Sequence, residues 1–390
     1  MKQKLIALFS ILLLSYLFLP TPCSLAASPT ATLTIDGTLI GTYPSVQQAV
    51  DDVSNQAGSQ FVIEIASGTV TDSLGIIQQP NKNLTICPQQ GATVTFTNTI
   101  TIDGDNHYYY PETLLIQGIS FDFSSSLLQN CINLAELTTP FDHCYAHNIT
   151  INNCHFTGME GFTVGIQSVA GGMRNIAITN CTASNMHSLA QLKAVAGYAL
   201  IQNCIVTNSE SGVNFYGTAN LLVDSCQFTI TDYAVRSGQG SGTIISSGSV
   251  TINNSILENN STTDGVIVLR GDSSPNINIL HSILTASGTD GKTVQNLNAT
   301  RISSYKISFL ETDINGLISD IDTSTITTID DPNIPNGPIN LNPQPDYEWL
   351  LIFLIILFTV LIILVIIDII LTILRRRPHC PCCCPRCRRC

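Results

Sequence analysis

Six segments of this 390-residue chain align without a gap: Ile149 to Phe156, Ile176 to Ala183, Ala199 to Val206, Leu221 to Phe228, Val250 to Leu257 and Ile277 to Leu284. Each reads apolar, x, apolar, x, bend, small, x, apolar. With Cys154, Cys181, Cys204, Cys226, Ser255 and Ser282 as markers, the steps are 27, 23, 22, 29 and 27 residues, the length of one solenoid turn. Alternation with a period of two marks a strand with one buried face, and a step this long is no helical heptad.

The column five before the marker is Ile149, Ile176, Ala199, Leu221, Val250, Ile277, and the column three before it is Ile151, Ile178, Ile201, Val223, Ile252, Ile279. Both are apolar throughout. A third inward column, two after the marker, is Phe156, Ala183, Val206, Phe228, Leu257, Leu284. The residue just before the marker is Asn153, Asn180, Asn203, Ser225, Asn254 or His281, and Gly118 fills that place in an earlier rung, Leu114 to Phe121. Asn and Gly are the residues that best tolerate a left-handed bend, so this position is expected to be conformational rather than chemical. Stacked Asn amides there can also bond from rung to rung.

These residues resemble the pectin lyase-like, right-handed parallel β-helix superfamily over roughly Thr32 to Leu310. The resemblance implies an all-β solenoid closed at its front by a short helix. Ser45-Val46-Gln47-Gln48 reads as a capping box, with Val46, Ala49, Val50 and Val53 on one helical face. Two departures stand out: an insertion between Phe121 and Ile149 carrying Cys131 and Cys144, and a Gly/Ser-rich loop from Ser237 to Gly248. Loops that protrude from a scaffold are common carriers of binding groups.

Family chemistry is only faintly matched. Gln167-Ser168-Val169-Ala170 is similar to the Q-x-V-A stretch of pectinesterases, but the acidic motifs that complete that site have no counterpart. The N-T-D and G-H-G stretches of polygalacturonases are absent. Asp224, Asp232 and Arg236 are a thin match to the acid cluster and arginine of pectate lyases.

The bottom-up candidate is the column six after the marker: Glu160, His187, Glu210, Asp232, then Ser261 and Gly288. If the register persists past the bend, these groups stack about 4.8 Å apart. They could then share a proton or a divalent cation such as calcium, with Lys193 or Arg236 adding positive charge. The competing reading is a solvated turn. No cofactor is identified.

The chain ends add location. Lys2, Lys4, the apolar stretch Leu5 to Leu19 and Ser24-Leu25-Ala26 have the parts of a cleavable signal peptide over residues 1–27. Leu350 to Leu374 is interrupted by one ionisable group, Asp368, and is long enough to cross a membrane. Tyr347 and Trp349 flank one end and Arg375-Arg376-Arg377 the other, matching an aromatic belt and the positive-inside rule. The expected organisation is a β-helix ectodomain over 28–310, an acidic, Pro/Asn-rich stalk over 311–348, a transmembrane helix over 349–374 and an Arg/Cys-rich cytoplasmic tail over 375–390. That is a single-pass type I protein, outside facing outward or into a lumen.

Between leader and span stand 8 Lys and Arg against 27 Asp and Glu, a net charge of −19. An acidic domain of this kind argues against nucleic acid or anionic lipid as partner and favours solubility, cation binding or a basic partner; the loops on a stalked scaffold point to a glycan or protein ligand. Cys131 and Cys144 are the expected disulfide, and the four marker cysteines either a thiol stack or a source of bridges. In the tail, Cys380, Cys382, Cys383 and Cys384 suit acylation, with metal binding as the alternative. Asn259, Asn260 and Asn298 begin the better-placed glycosylation sequons. The functional expectation is a surface-displayed recognition or adhesion protein, with a tethered polysaccharide lyase, esterase or hydrolase, or a structural envelope component, as alternatives.

Overall fold

The computed structural model describes residues 28–103, 112–126, 130–134, 147–168, 173–217, 220–238, 249–261, 264–269, 276–287, 291–297, 306–319 and 326–329. All the described residues lie in one compact unit within residues 1–331. The leader, the span at 349–374 and the tail therefore lie outside the described residues, as do Cys144, Asn298 and all four tail cysteines named above. Among the described residues no helix is long and apolar enough to cross a membrane.

This unit is a right-handed β-solenoid. Its front is antiparallel: Ala31–Ile35 pairs with both Thr38–Tyr43 and Gln60–Ile65. From Gln60–Ile65 onward every ladder is parallel, and each strand pairs with its counterpart one turn later. Three ladders run side by side along the coil. The first carries the aligned segments; the second begins at Gly68–Val70 and the third at Leu74–Ile77.

The columns read from sequence are the observed register. Ile149, Ile176, Ala199, Leu221, Val250 and Ile277 are consecutive partners, as are Ile151, Ile178, Ile201, Val223, Ile252 and Ile279. All twelve are buried in one continuous apolar core. Full burial of such a side chain contributes about 1.5–3 kcal/mol.

The bends also take the expected form. Asn153, Asn180, Asn203, Ser225, Asn254 and His281 have φ between 48° and 55°, and Gly118 has φ 69°. In this backbone the bend amide points down the coil: Asn180 N–H donates to Gln202 O at 2.9 Å, Asn203 N–H to Asp224 O at 3.1 Å. A side-chain ladder accompanies them, Asn203 Nδ2 donating to Asn180 Oδ1 at 3.2 Å and Asn180 Nδ2 to Asn152 Oδ1 at 2.8 Å.

Helix α1 (Val46–Asn55) buries Val46, Ala49, Val50 and Val53, and Ser45 Oγ accepts from Gln48 N–H at 3.3 Å as its N-cap. Its outer residue Gln47 is tied to the coil by a two-way bond to the backbone of Gly75.

Two boundaries move. The coil does not stop at Leu310: Asp313–Asn315, Leu317–Ser319 and Ile326–Ile329 extend all three ladders into the segment expected to be stalk. Glu311 makes the left-handed bend with φ 45°, and Ile314 and Ile318 pack against the core. Likewise, the insertion after Phe121 contains an ordinary third-ladder strand, Asn130–Leu134, paired on both sides. Cys131 is on that strand, a free thiol with no solvent exposure. The expected bridge to Cys144 is thus corrected at its Cys131 end. The side chain points into the core, and burial raises its thiol pKa well above the ordinary value.

Candidate functional site

The ionisable column is assembled where the second ladder turns into the third. His187 immediately precedes Ser188–Gln202, while Glu210 and Asp232 lie within the long strands Ile205–Gly217 and Gln227–Ser237. Backbone bonds lock these places: Glu210 N–H donates to Met186 O and Ser211 N–H to His187 O, both at 2.9 Å. One turn apart, His187 Nδ1 lies 2.5 Å from Glu210 Oε2.

Glu160 stands exposed on the preceding turn, in the loop Gly158 to Thr163. That loop is tightly built. Phe162 and Thr163 N–H both donate to Met159 O, at 3.1 and 3.0 Å, and Met159 N–H donates to Thr163 Oγ1 at 2.9 Å. Gly158 has no room for a side chain, because a Cβ would stand 2.5 Å from that of Thr163. Gly161, with φ 81°, passes so close to Glu210 that a Cβ there would meet Oε1 at 3.1 Å. The loop therefore brings the Gly161 backbone against the Glu210 carboxylate, with exposed Glu160 before it in the chain and the 55% exposed ring of Phe162 after it.

Asp232 is half-buried and its pKa is pushed up to about 6. Burial is the largest cause, followed by the charge of Asp264 and a hydrogen bond between the two carboxyl groups. Arg236 pulls the other way, and Glu210 adds a smaller upward push. The guanidinium of Arg236 lies 4.3 Å from the centre of the Tyr233 ring and donates through Nε to Asn214 Oδ1 at 3.0 Å.

Beside the acids runs a row of amides that the sequence reading left unassembled. The amides Asn133, Gln167, Gln191 and Asn214, followed by the Arg236 guanidinium, are consecutive partners on the third ladder; Asn214 is buried and the others are half-buried. Gln167 belongs to the stretch that resembles pectinesterases. Its neighbours in space come from successive turns rather than from a motif. Asp264 was missed as well, since it sits on an irregular segment between Ile256–Asn259 and Ile267–Leu269. Lys193 is on the third ladder, where its backbone N–H donates to Ser168 Oγ at 2.5 Å.

The structure brings Glu160, His187, Glu210 and Asp232 to one face. Ser261 leaves the column for a local role, its N–H donating to Asn259 Oδ1 at 2.7 Å, and Gly288 lies outside the described residues. Among the described residues no three His, Cys, Asp or Glu side chains converge as a metal site.

Asn259 requires a correction. Its side chain has no solvent exposure, and Nδ2 donates to the backbone carbonyls of Asp232 at 2.5 Å and Asp264 at 2.8 Å. The nitrogen that would carry a glycan is enclosed and twice bonded, so a glycan there is incompatible with this coil. Asn260 remains exposed.

Architecture and register define a right-handed parallel β-helix, consistent with the resemblance to the pectin lyase-like superfamily. A family model described as right handed beta helix region matches residues 141–307, the stretch that holds all six aligned rungs and Glu160, His187, Glu210 and Asp232. No curated protein matches the chain.

Proposed function

We propose that this chain is a surface-displayed recognition β-helix whose contact face is the row of Glu160, His187, Glu210 and Asp232 with the adjoining amides. The observation that carries this reading is Phe162, an exposed ring that follows Gly161, the residue whose backbone abuts the Glu210 carboxylate. An apolar ring flanked by carboxylates, amides and an imidazole suits a polyhydroxylated partner, whose ring faces stack and whose hydroxyls both donate and accept. Groups repeated at one-turn intervals suit a linear glycan laid along the coil. Display at a membrane rests on the apolar segment 349–374 and its flanks.

The test is binding of the full-length protein, in non-ionic detergent, to an array of neutral and uronic-acid oligosaccharides. Phe162→Ala is expected to weaken binding about tenfold, equivalent to about 1.4 kcal/mol. Its stability should stay within about 0.5 kcal/mol of the parent. Undiminished binding by the variant defeats the assignment of this face. Extraction from membranes by alkaline carbonate would defeat the anchor.

A second reading, a polysaccharide lyase, esterase or hydrolase, is favoured by one observation: Asp232 has a pKa near 6 beside Arg236, a setting suited to acid–base work. Turnover of any of these oligosaccharides that Asp232→Asn abolishes would establish it over pure recognition.

A further inference from the structure

The outer face of the first ladder takes no part in the site above, and it differs in charge from the rest of the coil. From Asn83–Pro88 to Asn276–Leu280 it runs through eight turns. Each strand keeps its register with the next, apart from one shift at the edge, between Met173 and Asn175. Along these strands the first ladder carries one base, Arg174, and one acid, Asp224. Asp224 is spanned by amides from both neighbouring turns, Gln202 Nε2 donating to Oδ2 and Asn253 Nδ2 to Oδ1, both at 2.9 Å. The chain between leader and span has a net charge of −19, so a neutral face lies on an acidic body.

The middle turns of that face are apolar. Tyr198 is 50% and Leu222 36% exposed, and half-buried Leu200 is the register partner of Leu222. Residues two apart in a strand share a face, which sets Tyr198 beside Leu200. The partners of Tyr198 on the turns before and after are both amides, Asn175 and Asn220. An apolar centre inside a polar rim, with charge depleted at the core, is the anatomy of a protein interface.

Charge decides what fits there. A basic partner gains more from the acidic sides of the coil, whereas a second copy of this chain is repelled by those sides and is opposed least at the neutral one. A two-fold axis sets the same patch against itself. This patch suits that arrangement, since its centre is apolar and its amides both donate and accept. The size agrees. Eight turns at about 4.8 Å and five residues at about 3.3 Å span roughly 600 Å² per copy. A pair then buries roughly 1,200 Å², the lower end of specific interfaces.

We propose that the outer face of the first ladder is a homodimer interface, in which Tyr198, Leu200 and Leu222 of one copy pack against the same residues of a second. The contact is independent of the recognition face.

The experiment is sedimentation velocity of the full-length protein in density-matched non-ionic detergent, from about 1 to about 100 μM, the range of a small interface. The wild type should pass from monomer to dimer. Raising salt from about 0.05 to about 0.5 M should strengthen the dimer, because it screens the repulsion between the acidic bodies. Leu222→Glu and Tyr198→Ala should each weaken it at least about tenfold, with melting temperatures within about 2 °C of the parent. Leu39→Glu is the control, a charge at a 63% exposed position on the front strand Thr38–Tyr43, and should leave the dimer intact. A monomer at every concentration overturns the proposal. So does a dimer that both face variants leave unchanged, which would associate through another surface, or one that salt dissolves, which would be held by ion pairs. A monomer whose binding to neutral oligosaccharides falls in Tyr198→Ala assigns the face to a glycan and also overturns the dimer.

Discussion

At the residue scale the marker column has one chemical rule. Cys154, Cys181, Cys204 and Cys226 each donate from Sγ to the carbonyl two residues back, at 3.2 to 3.4 Å. Ser255 and Ser282 do the same from Oγ at 2.7 Å, and Thr312 continues the pattern at 3.0 Å. On these turns the position takes a small side chain with one donor, because the left-handed bend just before it turns that carbonyl toward the core, whereas in the earlier rung Ile119 fills the place with apolar bulk alone. Cysteine serves here as a hydrogen-bonding hydrophobe rather than as half of a bridge. All four are free thiols, and hydrogen bonds with Cys154 and Cys204, then burial, push the thiol of Cys181 up. Replacing Cys204 by Ser should therefore cost less than about 1.5 kcal/mol in urea denaturation, within the range of one net hydrogen bond. Cys204→Val, which loses the donor, should cost more. Reductant should leave the melting temperature of the wild type unchanged, and a drop of several degrees would show that bridges contribute.

At the element scale, legibility divides by ladder. The first ladder and its bend could be read because the same eight-residue pattern recurs in one frame, as the pairing of Ile151, Ile178 and Ile201 shows. The cap helix was legible from Ser45 and the spacing of Val46, Ala49, Val50 and Val53. The third ladder was not, because the segment joining it to the second varies in length and the register slips there, between Val206, Ser209 and Ser211 for example. On the turns of Cys181, Cys204 and Cys226 the frame is nevertheless regained, so that Glu210 and Asp232 stand six residues, and Gln191, Asn214 and Arg236 ten, after their markers. On the preceding turn Val164, ten after Cys154, pairs with Ser188, seven after Cys181, and that shift is what broke the column. Asp264 had no repeat to reveal it at all. The slip has a steric signature: a Cβ on Gly212 would stand 2.3 Å from Ala234 O and 2.7 Å from the Phe228 ring. Gly212→Ala should destabilise by about 1–3 kcal/mol through forced displacement of a strand. Gly75→Ala is the control, since its Cβ would meet only Gln47 Oε1 at 3.9 Å. Equal stability of the two variants would show that the strands separate there without cost.

At the scale of the whole molecule the coil is close to one-dimensional, since each parallel strand touches only the turns before and after it. Stability is then a sum of turn and interface contributions, and the two ends decide where opening begins. They are unlike. At the front, α1 covers the apolar interior and Gln47 fastens it to the coil. At the back, the last described first-ladder strand, Ile326–Ile329, has one partner, Lys306–Leu310, and Leu317 is 52% exposed. Opening from the back exposes one turn at a time, whereas opening from the front must first remove the helix. Amide exchange should therefore be graded: slowest at Ile151, Ile178 and Ile201, nearly as slow at Ile63, and at least about tenfold faster at Ile307 and Phe309, a difference of about 1.4 kcal/mol. Ser45→Ala, by weakening the cap by about 1 kcal/mol, should speed exchange at Ile63 and leave Ile307 unchanged. Uniform protection along the coil would mean that it opens as a single cooperative unit and that its ends carry no special role.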